Sequence, residues 1–214
     1  DVDWLRVLAL GLLIVFHVAL TFQPWAAATG FPQNEQLLEE LVPFLSLVAV
    51  WRIPILFLIS GMGVGFSMQR RDWKELLKDR TVRILVPYLF GVAILGPVLG
   101  VALPHLGWEA EYTLQFGHLW FLLNIFLYVV WLIGLLIYLK DHPDNAFFRF
   151  VSGVIRWPLG PFLLALPLVV EAWLVNPEYY AVYVDTAHGW LLGLICFFTG
   201  FVVVSIQDVF WPAV

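Results

Sequence analysis

Six apolar stretches, nearly all long enough to cross a bilayer, constrain the fold of this chain more than any other feature. A transmembrane helix needs about 20 predominantly apolar residues. The fifth stretch is the weakest, because it is short and prolines fall within or beside it. We therefore predict an all-α, polytopic transmembrane helical bundle of about six spans, near residues 4–22, 43–67, 84–103, 118–139, 159–175 and 189–206.

Composition argues that lipid, rather than a larger core, accommodates these stretches. Of 214 residues, 62% are hydrophobic and 13% are charged, whereas soluble domains have about 45–50% apolar and about 25% charged residues. So few polar side chains cannot cover so many apolar ones in water. The bilayer is thus the first expected partner. The lone Cys196 permits no intrachain disulfide and carries no metal motif, so we expect no metal, and no nucleic-acid partner.

The distribution of basic residues predicts the topology. The loops near 23–42, 104–117 and 176–188 contain no Lys or Arg. Ten of the eleven basic residues lie on the alternate side, and under the positive-inside rule that side, with the N-terminus, is cytoplasmic. These ten are Arg6, Arg70, Arg71, Lys74, Lys78, Arg80, Arg83, Lys140, Arg149 and Arg156. The eleventh, Arg52, lies inside the second span.

Arg6 and His17 in the first span are eleven residues apart, close to three helical turns. They therefore share one helix face, about 16 Å apart along the axis. Ionisable groups within spans usually face the bundle interior or a cavity. A structural interpretation stays open, in which Arg6 reaches to the interface and His17 bonds a neighbouring helix.

Arg52 lies at a similar depth in the second span, shortly before Pro54. The proline removes one backbone donor and frees a nearby carbonyl. Arg52 is either a functional residue or one half of a structural ion pair, for which Glu171 of the fifth span is the candidate partner.

Two further segments have both a structural and a functional interpretation. The small residues of 60–65, SGMGVG, favour close helix packing in lipid over a phosphate-cradling loop, because the run lies inside an apolar span. The basic loop 70–83 carries six cations, which suit a phosphate-bearing ligand as well as a topology signal. His118 and Trp120 open the fourth span on the outer side, where such residues are common.

Four motifs occur in a familiar order: Arg6 with His17, WRIPILFLISG at 51–61, DRTVRILVPY at 79–88 and GHLWFL at 117–122. In this order the chain resembles the membrane-bound acyltransferase family 3. That family includes polysaccharide O-acetylases and proteins that succinylate periplasmic glucans. The resemblance is clearest through about residue 140. It implies about ten spans in a full-length member, so we expect 1–214 to be a single transmembrane acyltransferase domain truncated at its C-terminus.

The resemblance also implies an activity and a location. It implies transfer of an acetyl or succinyl group from cytoplasmic acyl-coenzyme A to a hydroxyl of an extracytoplasmic glycan, in a bacterial inner (plasma) membrane. It makes His17 the essential histidine and Arg6 its motif partner, and it marks Arg52, Ser60, Arg80, Arg83, His118 and Trp120 as motif positions.

We assign the candidate residues three roles. His17 is the general base or acyl carrier, with Arg52 beside it. Arg6, Arg80 and Arg83 are the candidates for binding the donor phosphates. Substrate-binding candidates are His118, Trp120 and Glu171.

Alternatives from other functional classes stay open. A proton-coupled transporter or channel would use an intramembrane cluster of His17, Arg52 and Glu171. A non-catalytic membrane scaffold would use none of them. The sequence shows no inverted repeat and no paired broken helices, which argues against a transporter. A homodimeric assembly is compatible with either activity.

Overall fold

The structure, a computed structural model, describes residues 2–27, 33–105, 119–178 and 182–214, and all regular secondary structure in these ranges is helical. The first part of the chain forms α1 (Val2–Leu20) and α2 (Val42–Met68). The later part forms α6 (Trp120–Asp141), α7 (Ala146–Ile155), α8 (Leu166–Val175), α9 (Ala187–Ser205) and α10 (Gln207–Ala213). A 3₁₀ segment, Gly160–Ala165, leads directly into α8.

Between them, one helical run of mixed geometry extends from residue 73 to residue 105. It consists of α3 (Trp73–Arg80), a π segment (Thr81–Leu85), α4 (Val86–Phe90), a second π segment (Gly91–Leu95) and α5 (Gly96–His105). A capping box begins it: the Asp72 carboxylate accepts from the Glu75 amide at 2.8 Å, and Glu75 reaches back to the Asp72 amide. Most of the basic segment predicted as a loop is therefore helical.

The prediction of a polytopic helical bundle is confirmed. Within the described ranges, four helical stretches are long and apolar enough to cross a membrane: Glu39–Met68, Trp73–Ala102, Trp120–Asp141 and Ala187–Ser205. The first and fifth predicted spans correspond to the shorter apolar helices Trp4–Leu20 and Gly160–Val175. The chain is a multi-pass membrane protein.

Large apolar side chains point outward from several of these helices. On α1, Trp4 is 72% exposed and Ile14 is 66% exposed. Val101 of α5 and Trp173 of α8 are similarly uncovered. In water such faces would be a large exposed apolar surface, whereas in a bilayer they meet lipid tails.

The tightest helix contact joins α2 to α9. A β-carbon on Gly61 would collide with the carbonyl of Phe197, and one on Gly200 would collide with the carbonyl of Leu58. Gly65 faces Val204 in the same seam. Gly61 and Gly200 let the two backbones approach without side chains between them, as in other membrane helix pairs. The packing interpretation of the 60–65 segment thus holds for Gly61 and Gly65, while Gly63 faces elsewhere.

We expect Gly61→Ala to destabilise the protein by about 1–3 kcal/mol, because the added methyl meets backbone that cannot rotate away. Thermal unfolding of purified protein in nanodiscs measures the change. Gly134→Ala is the matched control, since nothing lies within 4 Å of a β-carbon at Gly134 in α6. Equal unfolding temperatures for the two variants would contradict the close seam.

Candidate functional site

Two groups of side chains lie along the contact between α1 and α2. The first, the Gly63 level, comprises Arg6, Gly63 and Arg80. The second, the Arg52 level, comprises Phe16, His17 and Arg52. Arg52 and Gly63 are eleven residues apart on α2, the same interval as Arg6 and His17 on α1. The two helices therefore run antiparallel, and the levels lie about 16 Å apart along both axes.

At the Gly63 level, two arginines from different helices meet. The Arg80 Nη2 atom donates a hydrogen bond to the Gly63 carbonyl at 3.2 Å. A β-carbon on Gly63 would lie 3.4 Å from Arg6 Nη2 and 3.9 Å from Arg80 Nη2. The Arg80 Nε atom is buried and has no hydrogen-bond partner in the described ranges. Two like charges converge here, an arrangement that an anion would stabilise.

Arg83, the third predicted phosphate ligand, does not join this pair. Its Nε atom lies 2.9 Å from Asp79 Oδ1, and its side chain is 70% exposed. The same Asp79 oxygen lies 2.9 Å from Arg71 Nη1. The carboxylate therefore neutralises part of the basic segment and leaves Arg6 and Arg80 as the converging cations.

At the Arg52 level, the guanidinium lies over an aromatic ring, that of Phe16, beside the predicted histidine. Arg52 Cζ is 3.4 Å from the centroid of the Phe16 ring, a close cation–π contact. Arg52 is only 8% exposed. Its Nε and Nη1 atoms are buried and, within the described residues, have no hydrogen-bond partner. A buried charge with unsatisfied donors is costly, so such a group is a strong candidate for binding an anion.

His17 is half-buried on α1, with its ring edge-on to Phe16 at 5.8 Å between centroids. The Nδ1 atom lies 2.7 Å from the Leu13 carbonyl. A carbonyl only accepts, so Nδ1 carries the proton. In the neutral ring, Nε2 is then the basic nitrogen.

The suggested ion pair between Arg52 and Glu171 is wrong. Glu171 is held by His188 instead: the Nδ1–H of His188 donates to Glu171 Oε1 at 2.9 Å, and both side chains are 3% exposed. Because α8 packs against α9, His188 lies beside the buried Glu171 carboxylate and is its hydrogen-bond partner. The three-residue cluster of the transporter alternative therefore does not form as a direct ion-paired unit.

Trp120 and Ser60 make other contacts. Trp120 is buried in the core, with its ring 6.0 Å from that of Phe57. His118 lies outside the described residues. The Ser60 hydroxyl donates to the Leu56 carbonyl of its own helix at 2.8 Å. Two open clefts run along α7, and both are lined by Arg149 and Gly153. None of the predicted site residues lines either cleft.

Tyr183 and His188 were not assigned roles from the sequence, although both contact this region. The Tyr183 hydroxyl donates to the Val50 carbonyl at 2.9 Å, two residues before Arg52. The Tyr183 ring stacks on His188 at 5.6 Å. The only sequence signal for Tyr183 is indirect: Pro54 leaves a carbonyl without a donor, and some side chain must satisfy it.

Comparison with known proteins identifies a family. A family model described as an acyltransferase domain matches residues 1–209, nearly the whole chain. Searches of curated proteins and of solved structures found no match.

Proposed function

Because this chain belongs to acyltransferase family 3, we propose that it transfers an acyl group from cytoplasmic acyl-coenzyme A to a hydroxyl of an extracytoplasmic glycan. The acyl group is acetyl or succinyl. The protein lies in a bacterial inner membrane with its N-terminus in the cytoplasm. The observation that carries the proposal is the pair of charged levels on the contact between α1 and α2.

The Gly63 level supports binding of the donor phosphates. Arg6 and Arg80 converge beside Gly63, which has no side chain to separate them. Guanidinium groups bind phosphate through several directed N–H donors. The buried Nε atom of Arg80, which has no partner in the part of the chain that the structure describes, supplies one such donor.

The distance between the levels supports a reaction that links the two sides of the membrane. A donor held at the Gly63 level extends its acyl arm along α1 toward His17, about 16 Å away. The acceptor hydroxyl approaches His17 from the opposite side. The coenzyme then stays on its own side, and only the acyl group passes to the acceptor.

The Arg52 level contains the groups that acyl transfer needs. The Nε2 atom of neutral His17 takes the proton of the acceptor hydroxyl as its oxygen attacks the thioester carbonyl. The tetrahedral intermediate carries an oxyanion, which is stabilised by the Arg52 donors that have no partner among the described residues. Collapse breaks the carbon–sulfur bond, and the thiolate leaves as coenzyme A with the proton from His17. The ester of the glycan is the other product.

A route through acyl-histidine fits the same residues. There Nε2 attacks the thioester first, and the carbon–sulfur bond breaks to release coenzyme A thiolate. The acceptor hydroxyl then attacks the acyl-imidazole, the acyl–nitrogen bond breaks, and the hydroxyl proton is balanced by the one that the thiolate takes up. Both routes need the same nitrogen and the same oxyanion donor. They differ in whether an acylated protein accumulates when the acceptor is omitted.

The proposal is tested by coenzyme A release from acetyl-, succinyl- and longer acyl-coenzyme A, with glycan acceptor mixtures, using the protein in nanodiscs. We expect release from one donor class to exceed that of empty nanodiscs and to depend on the acceptor. Release at the level of empty nanodiscs from every donor would overturn the proposed activity.

Loss of one phosphate ligand should appear in the Michaelis constant of the donor. We expect Arg80→Gln to raise it about 10-fold and to change kcat by less than about 3-fold, since a charge-assisted contact is lost far from the reacting bond. Lys78→Gln is the control, because it removes an exposed cation from the same helix. If Lys78→Gln raises the Michaelis constant equally, the effect is one of general charge, and the specific Arg80 contact is refuted.

A further inference from the structure

Pro54 leaves α2 with one backbone carbonyl that its own helix cannot satisfy. In an α-helix, the N–H of residue i donates to the carbonyl of residue i−4. Proline has no N–H, so Val50 loses its helical donor. A carbonyl left unpaired inside a membrane protein is costly. A turn without its hydrogen bond also bends more easily than its neighbours.

Tyr183 supplies the missing donor. Its hydroxyl lies 2.9 Å from the Val50 carbonyl and 3.4 Å from the Ala49 carbonyl. Tyr183 is 4% exposed and precedes α9, so this contact joins segments 133 residues apart in the chain. Burial raises the pKa of Tyr183 to about 12, so the hydroxyl keeps its proton and donates throughout the working pH range.

The backbone and ring of Tyr183 are themselves held in place. Its carbonyl accepts a hydrogen bond from the Thr186 hydroxyl at 3.2 Å, and Thr186 caps α9 through the Gly189 amide at 3.0 Å. Its ring stacks on His188, which the buried Glu171 fixes at 2.9 Å. The hydroxyl is therefore presented from a rigid support built by α8 and α9.

Arg52 lies on the turn that this contact closes, two residues after Val50 and two before Pro54. Its guanidinium is close enough to Tyr183 for the two groups to interact electrostatically. A shift of this turn would move the guanidinium off the Phe16 ring, which it contacts at 3.4 Å. Displacements of about 1 Å at a reacting centre cost up to about 100-fold in rate.

We propose that Tyr183 is a positioning residue, which holds Arg52 for acyl transfer by donating to the carbonyl that Pro54 leaves free. Glu171 and His188 act behind it as its support, which gives Glu171 a positioning role in place of the substrate-binding role predicted from the sequence. This inference rests on the proposed function for its kinetic consequence. Its structural part, the anchored turn in α2, stands independently.

Hydrogen exchange of the α2 turn tests the anchor without reference to activity. In nanodiscs, Tyr183→Phe should increase amide exchange in peptides that cover residues 49–58 by about 3- to 10-fold. Tyr128→Phe is the matched control: that buried hydroxyl donates to the Trp190 carbonyl at 2.8 Å and is likewise lost. Unchanged exchange at 49–58 in Tyr183→Phe, or an equal increase in Tyr128→Phe, would overturn the anchor.

Restoring the backbone donor sharpens this test. Pro54→Ala returns an N–H to position 54, which can donate to the Val50 carbonyl. In that background, Tyr183→Phe should raise exchange by less than about 2-fold. The same increase in both backgrounds would show that Tyr183 acts through some other contact and would refute the proposal.

Kinetics then test the positioning role, with the wild-type protein alongside. Tyr183→Phe should lower kcat about 10- to 100-fold while the Michaelis constant of acyl-coenzyme A stays within about 2-fold, since the Gly63 level is untouched. Tyr128→Phe should keep kcat within about 2-fold. A kcat near wild type in Tyr183→Phe would refute the role. Absence of release from the wild type would instead refute the proposed function, and the exchange result would still decide the anchor.

Discussion

Replacing His17 with alanine is expected to lower acceptor-dependent coenzyme A release by about 10²- to 10⁴-fold, the range that general acid–base groups contribute. The reason is that the Leu13 carbonyl fixes which ring nitrogen of His17 carries the proton. With its proton on Nδ1, the ring offers Nε2 as the base or nucleophile. Alanine can act neither as a base nor as a nucleophile, so the direct and the acyl-histidine routes are both lost.

The fold should survive this change. His17 is half-buried, and its Nδ1 bond goes to the carbonyl of its own helix at 2.7 Å. Losing that bond costs about 1 kcal/mol, which thermal unfolding in nanodiscs can measure. Donor binding should persist, because Arg6 and Arg80 lie about 16 Å away.

Thr21→Ala is the matched control for His17→Ala. The Thr21 hydroxyl donates to the Val18 carbonyl at 2.8 Å, so this variant also removes a side-chain bond to the backbone of the same region. It should keep release within about 2-fold of wild type. Full activity in His17→Ala would eliminate both routes, whereas equal losses in the two variants would point to the stability of α1 alone.

Arg52→Gln should produce the second large effect, a fall of about 10²- to 10³-fold in kcat, as when an oxyanion donor is removed. Unlike most buried substitutions, it should not destabilise the protein. In the wild type, the Nε and Nη1 atoms of Arg52 are buried without partners in the described structure. Burying charged donors without partners costs free energy, and that cost is removed together with the charge. We expect the unfolding temperature to stay level or rise while activity falls.

Arg52→Lys separates charge from geometry. Lysine keeps the positive charge but loses the planar group that lies 3.4 Å from the Phe16 centroid. Its kcat should fall between those of wild type and Arg52→Gln. Activity and unfolding temperature that decline together in Arg52→Gln would identify the arginine as a structural residue.

Local sequence patterns predicted the helices and the α1 face well. The predicted span at 43–67 corresponds to α2 (Val42–Met68), and that at 189–206 to α9 (Ala187–Ser205). Helical periodicity alone placed Arg6 and His17 on one face, because both belong to one unbroken helix. The start of α3 was missed although its capping box, Asp72 with Glu75, can be read from the sequence.

Contacts between distant segments could not be obtained this way. An ion pair between Glu171 and Arg52 was predicted because both are charges of opposite sign within spans. The packing of α8 on α9 instead places Glu171 against His188. The sequence shows that Pro54 frees a carbonyl, but it does not indicate which of many hydroxyls donates a hydrogen bond to that carbonyl. That Tyr183 does so depends on the close α2–α9 seam.

The two π segments of the third span limit how this chain can vary in length. A π turn holds one residue more than the α-helical turn it replaces. Deleting one residue within Thr81–Leu85 would therefore let that turn relax to α geometry and would leave the helices on either side in nearly the same relative orientation. Arg80 would then stay beside Gly63, whereas a deletion from a regular α-helical turn would rotate it by about 100°. Related chains that keep this arginine pair should therefore lose a single residue more readily in this π segment than in the α-helical turns beside it.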